Sequence, residues 1–361
     1  MKKILVVSNM YPSPQDVAFG TFVRNTVECL EQNEKFEVVV VKKERTKNIY
    51  TSLVGYVRLY LKSFHELVTN NYDLCYVHYT SHSSLGVLAA NLFRKKVKII
   101  SHVHGSDVVK EESVGELKFK IKKWISSAIL NRSSLIFTPS RYYKNLITDE
   151  YFLNSELVHV SPSGGVDTEI FKPIKKNSQC KDEFVVGFVG RLTKDKGFCD
   201  FVELIDELGK SSQYKFVVVG DGPLKGVAED LENKGIIKYF NKVDQKKLPE
   251  IYNMMSVFLF PTRRITESLG LVALEAMSCG VPVIAYDIAG PKEYIDNETN
   301  GYLSAVGDIG RLRECIETLK CLDENAYAHI QANAIATATR YSRTIVASEM
   351  KYKFEEVFCE S

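Results

Sequence analysis

The chain holds 361 residues, of which 25% are charged and 45% hydrophobic, with a formal net charge of +2. This is the balance of an ordinary globular protein long enough for two α/β domains, and it excludes a disordered polyelectrolyte. Eight scattered cysteines with no CxxC pair exclude a zinc ribbon or dithiol centre and suit reduced, buried thiols.

The apolar run near the start, Ile4–Val7, is too short for a signal peptide and reads as a first strand. No stretch approaches the ~20 apolar residues that span a bilayer, so the expected location is cytoplasmic. Charge is uneven: residues 1–168 carry 22 Lys+Arg against 16 Asp+Glu, and residues 169–361 carry 25 against 29. A basic first half can face an anionic surface, although charges this dispersed are a weak signal.

In chain order, Ile4–Ser8, Glu37–Val41, Leu74–His78, Val97–Ser101, Leu135–Thr138 and Leu157–Val160 read as buried strands. Helical patterns separate them, such as Phe22, Val23, Val27 and Leu30 at helix spacing. The pattern restarts with Phe184–Val189, Lys215–Val219, Ile236–Phe240, Val257–Phe260 and Val281–Ala285, with helices near Phe198–Leu208, Leu248–Met254 and Leu271–Ser278. Continuous β-formers alternating with helices argue for parallel sheets covered on both faces. The polar stretch Phe171–Ser178 marks the boundary. The expected division is an N-terminal domain over 1–170, a C-terminal domain over 171–341, and a helix over 342–361 packing back on the first domain. Two doubly wound, Rossmann-like domains imply a ligand cleft at the C-terminal ends of the strands.

Two segments carry the chemistry. Glu267-Ser-Leu-Gly270-Leu271-Val-Ala-Leu-Glu275 follows a strand and enters a helix. On one helix its two carboxylates would lie about 12 Å apart, too far to share a proton but able to grip two ends of an extended ligand. Gly270 permits close backbone approach, and the free amides near Gly270 and Leu271 favour a phosphate. The competing reading is a pair of solvated helix-end charges. Gly190-Arg191-Leu-Thr-Lys194-Asp-Lys196-Gly197 directly follows another strand. A forked guanidinium and a mobile ammonium there suit a diphosphate. The competing reading, a charged surface loop, fits Lys194 better than the Arg191/Lys196 pair.

Taken together these segments resemble the retaining glycosyltransferases of the family 4 / group 1 type, which include bacterial mannosyltransferases, glycogen synthases and sucrose synthases. The resemblance extends to Val219-Gly-Asp-Gly-Pro223, to Ala276-Met-Ser-Cys-Gly-Val-Pro-Val-Ile-Ala285, to Gly290-Pro291 with Glu293, to His104-Gly-Ser-Asp107 and to Gly20-Thr-Phe-Val-Arg24. Each match is short, but their order and spacing together are specific. The resemblance implies the GT-B fold, two Rossmann-like domains facing across a cleft.

It also implies roles. Arg191 and Lys196 neutralise the donor diphosphate, Glu275 holds the ribose, Glu267 meets hydroxyls of the donor sugar, and Gly270 and Leu271 offer amides. Val243 meets the base, Gly20 lets the first loop reach the phosphates, and His104 lies near the reacting sugar. Asp107 orients His104, touches the acceptor or caps a turn. Many members carry two adjacent glycines in the first loop, whereas here Gly20 is followed by Thr21. Pro162-Ser-Gly-Gly165 suggests a hinge.

The implied reaction moves a hexose from a UDP- or GDP-sugar to a saccharide or lipid-linked acceptor, for envelope or exopolysaccharide synthesis. It needs no cofactor or metal and involves no nucleic acid. His78, His82 and His102 lie near His104 in sequence without carboxylates at ligand spacing, and so read as polar or acceptor-contact residues. Gly220-Asp-Gly222 lacks the third glycine of a dinucleotide fingerprint. The lysines of Lys118–Ile125 interleave with Ile121 and Trp124, as in a helix on a membrane surface or one packed on a domain. Two rival functions remain: a sugar-nucleotide 2-epimerase of similar fold, and a catalytically silent partner of another transferase.

Overall fold

A computed structural model describes residues 1–14, 16, 19–46, 48–93, 97–110, 114–174, 183–209 and 213–359. The chain forms two compact units, Met1–Gly164 with Val346–Ser361, and Gly165–Ile345. The boundary stretch read at Phe171–Ser178 lies partly outside the described residues, as does Cys180.

The crossing falls earlier than the 170/171 boundary read from composition, because the segment after Gly165 is stitched into the second unit. The Val166 amide donates to the Tyr341 carbonyl at 2.8 Å, and the Ser278 hydroxyl to the Phe171 carbonyl at 2.5 Å. The crossing itself runs through three successive left-handed residues, Ser163 (φ 42°), Gly164 (φ 82°) and Gly165 (φ 71°).

The first unit alternates strand and helix: β1 (Lys2–Ser8), α1 (Thr21–Glu31), β2 (Phe36–Lys42), α2 (Ile49–Thr69), β3 (Leu74–His78), α3 (Thr80–Ser83), α4 (Leu85–Phe93), β4 (Lys98–His102), α5 (Glu116–Leu130), β5 (Leu135–Thr138), α6 (Arg141–Tyr151) and β6 (Val158–Val160). The sheet is wholly parallel in the order β2-β1-β3-β4-β5-β6. Because both faces are buried, the strands are apolar throughout rather than alternating. Leu59 of α2, Val87 of α4, Ile129 of α5 and Ile147 of α6 pack in the core on one face.

The second unit comprises β7 (Phe184–Val189), α7 (Phe198–Leu208), β8 (Tyr214–Val219), α8 (Lys225–Asn233), β9 (Ile237–Phe240), α9 (Leu248–Tyr252), β10 (Val257–Phe260), α10 (Leu271–Ser278), β11 (Val283–Tyr286), β12 (Gly301–Ser304), α11 (Ile309–Cys321) and α12 (Glu324–Arg340). Helix α13 (Arg343–Cys359) then carries the chain into the first unit, where Met350, Phe354 and Val357 join Val27 and Leu30 of α1 on the other face of the first sheet. The second sheet is also parallel, in the order β12-β11-β10-β7-β8-β9. Strand order reverses between β7 and β10, the switch point at which such sheets leave a crevice beyond their carboxyl ends.

Candidate active site

Arg191 and Lys196 lie in the loop after β7, and Glu267 in the loop after β10. The two signature segments therefore leave adjacent strands at the switch point. Backbone contact holds the loops together. The Arg263 amide donates to the Asp195 carbonyl at 2.9 Å. Gly197 caps α7 in a left-handed conformation, and a Cβ there would stand 1.8 Å from the Pro261 carbonyl oxygen. Only glycine satisfies both demands.

This closeness puts the Lys196 ammonium 2.5 Å from Glu267 Oε2, and the Thr262 hydroxyl donates to the same oxygen at 3.1 Å. Glu267 is buried, 8% exposed. Burial pushes its carboxyl upward, but the Lys196 charge and hydrogen bond, with Arg264 and Thr262, outweigh burial and hold it below its ordinary value. Glu275, also 8% exposed, has no such cation. Burial raises its carboxyl to about 7, against a lowering hydrogen bond from the Tyr252 hydroxyl at 3.1 Å. The solvated-charge reading of these glutamates is thus overturned.

Their shared helix is also corrected. Helix α10 starts only at Leu271, capped by left-handed Gly270, so Glu267 sits in the preceding loop and Glu275 within the helix. The buried Tyr294 hydroxyl donates to the Leu269 carbonyl at 3.0 Å and braces this turn. Gly290 of the Gly-Pro loop packs against it, its amide reaching the Glu267 carbonyl at 3.4 Å. Arg191 is exposed in the same loop as Lys196, and Val243 is partly buried against the core under α9 and α10. Sequence motifs do not mark Tyr252, Thr262 or the network in which exposed Arg263 forks onto buried Asp200 at 2.8 and 3.0 Å while the Tyr286 hydroxyl donates to it at 2.7 Å. Only folding brings these residues together.

In the first unit, Gly20 begins α1 at φ 78°, and a Cβ there would stand 2.7 Å from the Met10 carbonyl carbon. His104 follows β4, with its ring against Phe22 (4.8 Å between centroids) and Tyr79 (4.5 Å). Tyr79 is itself left-handed at φ 59°, a conformation that costs a residue with a side chain about 1–2 kcal/mol. Asp107 is fully buried and accepts from the amides of Thr80, His104 and Gly105 and from the Thr80 hydroxyl, at 2.9–3.0 Å. That carboxylate holds the turn, as the turn-capping reading of Asp107 expects.

Of the histidines read as polar or acceptor-contact residues, His78 and His102 form one cluster with His104, and His82 lies outside it. His78 and His102 are partners on adjacent strands, His78 Nδ1 lies 3.0 Å from His104 Nε2, and the Tyr76 hydroxyl lies 2.6 Å from His102 Nδ1. Among the described residues this is the one group of three with ligand atoms close enough to share an ion. The rings, however, stack: His102 lies 4.3 Å from His104 at 21°. An imidazole binds metal in its own plane, so face-to-face rings do not converge on one ion, and the geometry suits a hydrogen-bonded stack instead. Burial lowers the basicity of all three, His102 to about 3.

Comparison with known proteins agrees with this architecture. The model of Glycosyltransferase Family 4 matches residues 19–170, and that of Glycosyl transferases group 1 matches residues 170–337. CapM of Staphylococcus aureus, a capsular polysaccharide biosynthesis glycosyltransferase, is 25% identical over 291 residues, covering 77% of this chain and 75% of CapM. Among solved structures, sucrose-phosphate synthase from Thermosynechococcus elongatus superposes with a TM-score of 0.81 at 17% identity, covering all of both chains. HepE of Anabaena, in complex with UDP, superposes with a TM-score of 0.75 at 18% identity, over 99% of this chain and 100% of that one. With consecutive matches spanning both units and two parallel doubly wound sheets, the chain belongs to the group 1 / family 4 glycosyltransferases and has the GT-B fold.

Proposed function

We propose that this glycosyltransferase moves a hexose, with retention, from a UDP- or GDP-sugar to a saccharide or lipid-linked acceptor in envelope polysaccharide synthesis, from a cytoplasmic seat at the membrane's inner face. The observation that carries the donor assignment is the Lys196–Glu267 pair at the switch point of the second sheet, beside the start of α10. Breaking the sugar–phosphate bond builds negative charge on the departing diphosphate. Arg191, Lys196 and the Gly270 and Leu271 amides stabilise that charge in place, without reorganisation at the moment of reaction. Glu267 holds the Lys196 ammonium in register and offers its free oxygen to a sugar hydroxyl. Glu275, with the higher proton affinity, accepts from the ribose diol.

The acceptor hydroxyl attacks the anomeric carbon from the face the leaving group departs, and its proton passes to the departing phosphate oxygen. His104 meets the reacting sugar, and Gly20 admits the phosphates. The UDP in HepE and the capsular role of CapM support the donor class and the pathway. The test is incubation with UDP- and GDP-hexoses and a lipid or oligosaccharide acceptor, with the product linkage read by NMR. An α-linked product from an α-donor is expected. Epimerised free donor without acceptor, or an inverted linkage, would contradict the reading.

A further inference from the structure

Helix α2 is the least satisfied element of the first unit. Across its 21 residues only Leu59, Ser63 and Leu67 are buried. Ile49, Tyr50, Leu53, Val54, Val57 and Leu61 stand between 49% and 79% exposed. At 100° per residue Tyr50, Leu53, Val54, Val57 and Leu61 fall within an arc of about 100°, clear of the buried residues, with Ile49 at its edge. Helix α4 packs on the inner side, where a Cβ on Gly86 would stand 2.2 Å from the Tyr60 carbonyl oxygen, and it ends in exposed Leu92 and Phe93. Helix α5, in the same layer, exposes Leu117, Ile121 and Trp124 at spacings of four and three. A domain helix normally turns such residues inward, as α5 does with Ile125 and Ile129.

The charge around the α2 stripe has one sign, while at the start of α5 the exposed Glu116 pairs with Lys110. Residues 48–65 contain no acid, and Arg58 and Lys62 flank the apolar arc of α2, both exposed. Lys118 and Lys120 stand exposed beside the α5 stripe. A second copy docked two-fold through the α2 arc would bring the same cations together with no acid from residues 48–65 at the seam. An anionic bilayer meets both features at once: headgroups for the cations and acyl chains for the apolar arc. Among the described residues no helix is long and apolar enough to cross a membrane, so the contact is with its surface.

We propose that the apolar arc of α2, bordered by Arg58 and Lys62, with the exposed ridge of α5 in the same layer, docks the first unit on an anionic lipid surface. This deepens the peripheral seat proposed above and rests on that reading only for its purpose, which is to bring a lipid-linked acceptor within reach.

The test is co-sedimentation of the full chain with phosphatidylglycerol/phosphatidylcholine vesicles and with pure phosphatidylcholine vesicles, alongside light scattering for mass. Binding to the anionic vesicles is expected, weaker at high salt, and reduced about tenfold or more by Arg58→Glu with Lys62→Glu. Leu53→Glu with Leu61→Glu should abolish it while leaving the melting temperature and UDP affinity unchanged, since both residues are exposed and outside the donor site. No binding to anionic vesicles, or binding unaffected by the leucine pair, would overturn the proposal. So would a dimer that the leucine pair converts to monomer, because the twin would then be the occupant. Transfer to a soluble acceptor, assayed without vesicles, reports on the enzymatic reading alone.

Discussion

The Lys196 ammonium lies 2.5 Å from Glu267 Oε2, joining loops that leave two adjacent strands of the second sheet. The pair is largely buried, with side chains 19% and 10% exposed. Removing one partner strands the other charge, which costs about 3–5 kcal/mol in comparable buried pairs. Lys196→Ala should therefore lower both melting temperature and turnover. Adding Glu267→Gln to Lys196→Ala should recover much of the stability but none of the turnover, because the coupling belongs to the pair and the diphosphate contact to lysine alone. Recovery of activity in the double variant would rule out the phosphate role.

Glu275 supplies a pH signature. Its carboxyl sits at about 7 when folded, against an ordinary 4.5. Between these values the folded chain binds more protons than the unfolded one, so this group makes stability fall as pH rises through the window and level off above it. At 1.36 kcal/mol per unit the loss is about 3 kcal/mol. Thermal melts across that range should show the slope, and Glu275→Gln should flatten it. Tyr252→Phe removes the hydrogen bond that favours the charged form and should extend the fall to higher pH.

The histidine stack acts in the opposite direction. His102, lowered to about 3 by burial, stays neutral when folded while its unfolded counterpart takes up a proton near 6.5. Its contribution is complete above that value and is lost as pH falls toward 3. Replacing Tyr76 by Phe leaves His102 Nδ1 buried without its partner, at a cost of about 1–3 kcal/mol. His78→Phe should lower turnover more than donor affinity, because it releases His104 Nε2 from its hydrogen bond and frees the ring to rotate. Equal loss of both in kinetic and binding assays would mark His78 as purely structural.

Gly197→Ala tests the joining of the two loops. Its Cβ would collide with the Pro261 carbonyl and would also meet a left-handed backbone at φ 75°. The loops must then separate, carrying Lys196 away from Glu267. The expected result is a loss of activity comparable to Lys196→Ala, with a lower melting temperature and weakened UDP binding by calorimetry.

Much of this was legible in the sequence because parallel strands buried on both faces are written as uninterrupted apolar runs. Ile4–Ser8, Phe184–Val189 and Val257–Phe260 needed no periodicity to be recognised. Strand β12 escaped because Gly301-Tyr-Leu-Ser304 is short and glycine-led. Helix α2 escaped because its apolar residues are spread around much of its circumference, six of them facing out. The proposed donor-site residues of the second unit stand out through motif spacing, which reports chain neighbours. The partners that set their electrostatics were not, since Tyr252 on Glu275 and Thr262 on Glu267 come from different chemistry at no fixed spacing. The histidine stack was hidden for a related reason: His78 and His102 are 24 residues apart and meet only through the register of β3 and β4.

In the proposed donor site the second unit seats the diphosphate on Arg191 and Lys196 and the ribose on Glu275. Calorimetric titration of UDP and GDP into the wild-type chain, Lys196→Ala and Glu275→Ala tests this most directly. Saturable binding of one nucleotide to the wild type is expected, with thermal stabilisation of about 2.7 kcal/mol at a hundredfold excess over the dissociation constant. Each variant should bind at least tenfold more weakly, a loss of about 1.4 kcal/mol. Wild-type affinity in both variants, or no nucleotide binding by the intact chain, would contradict it.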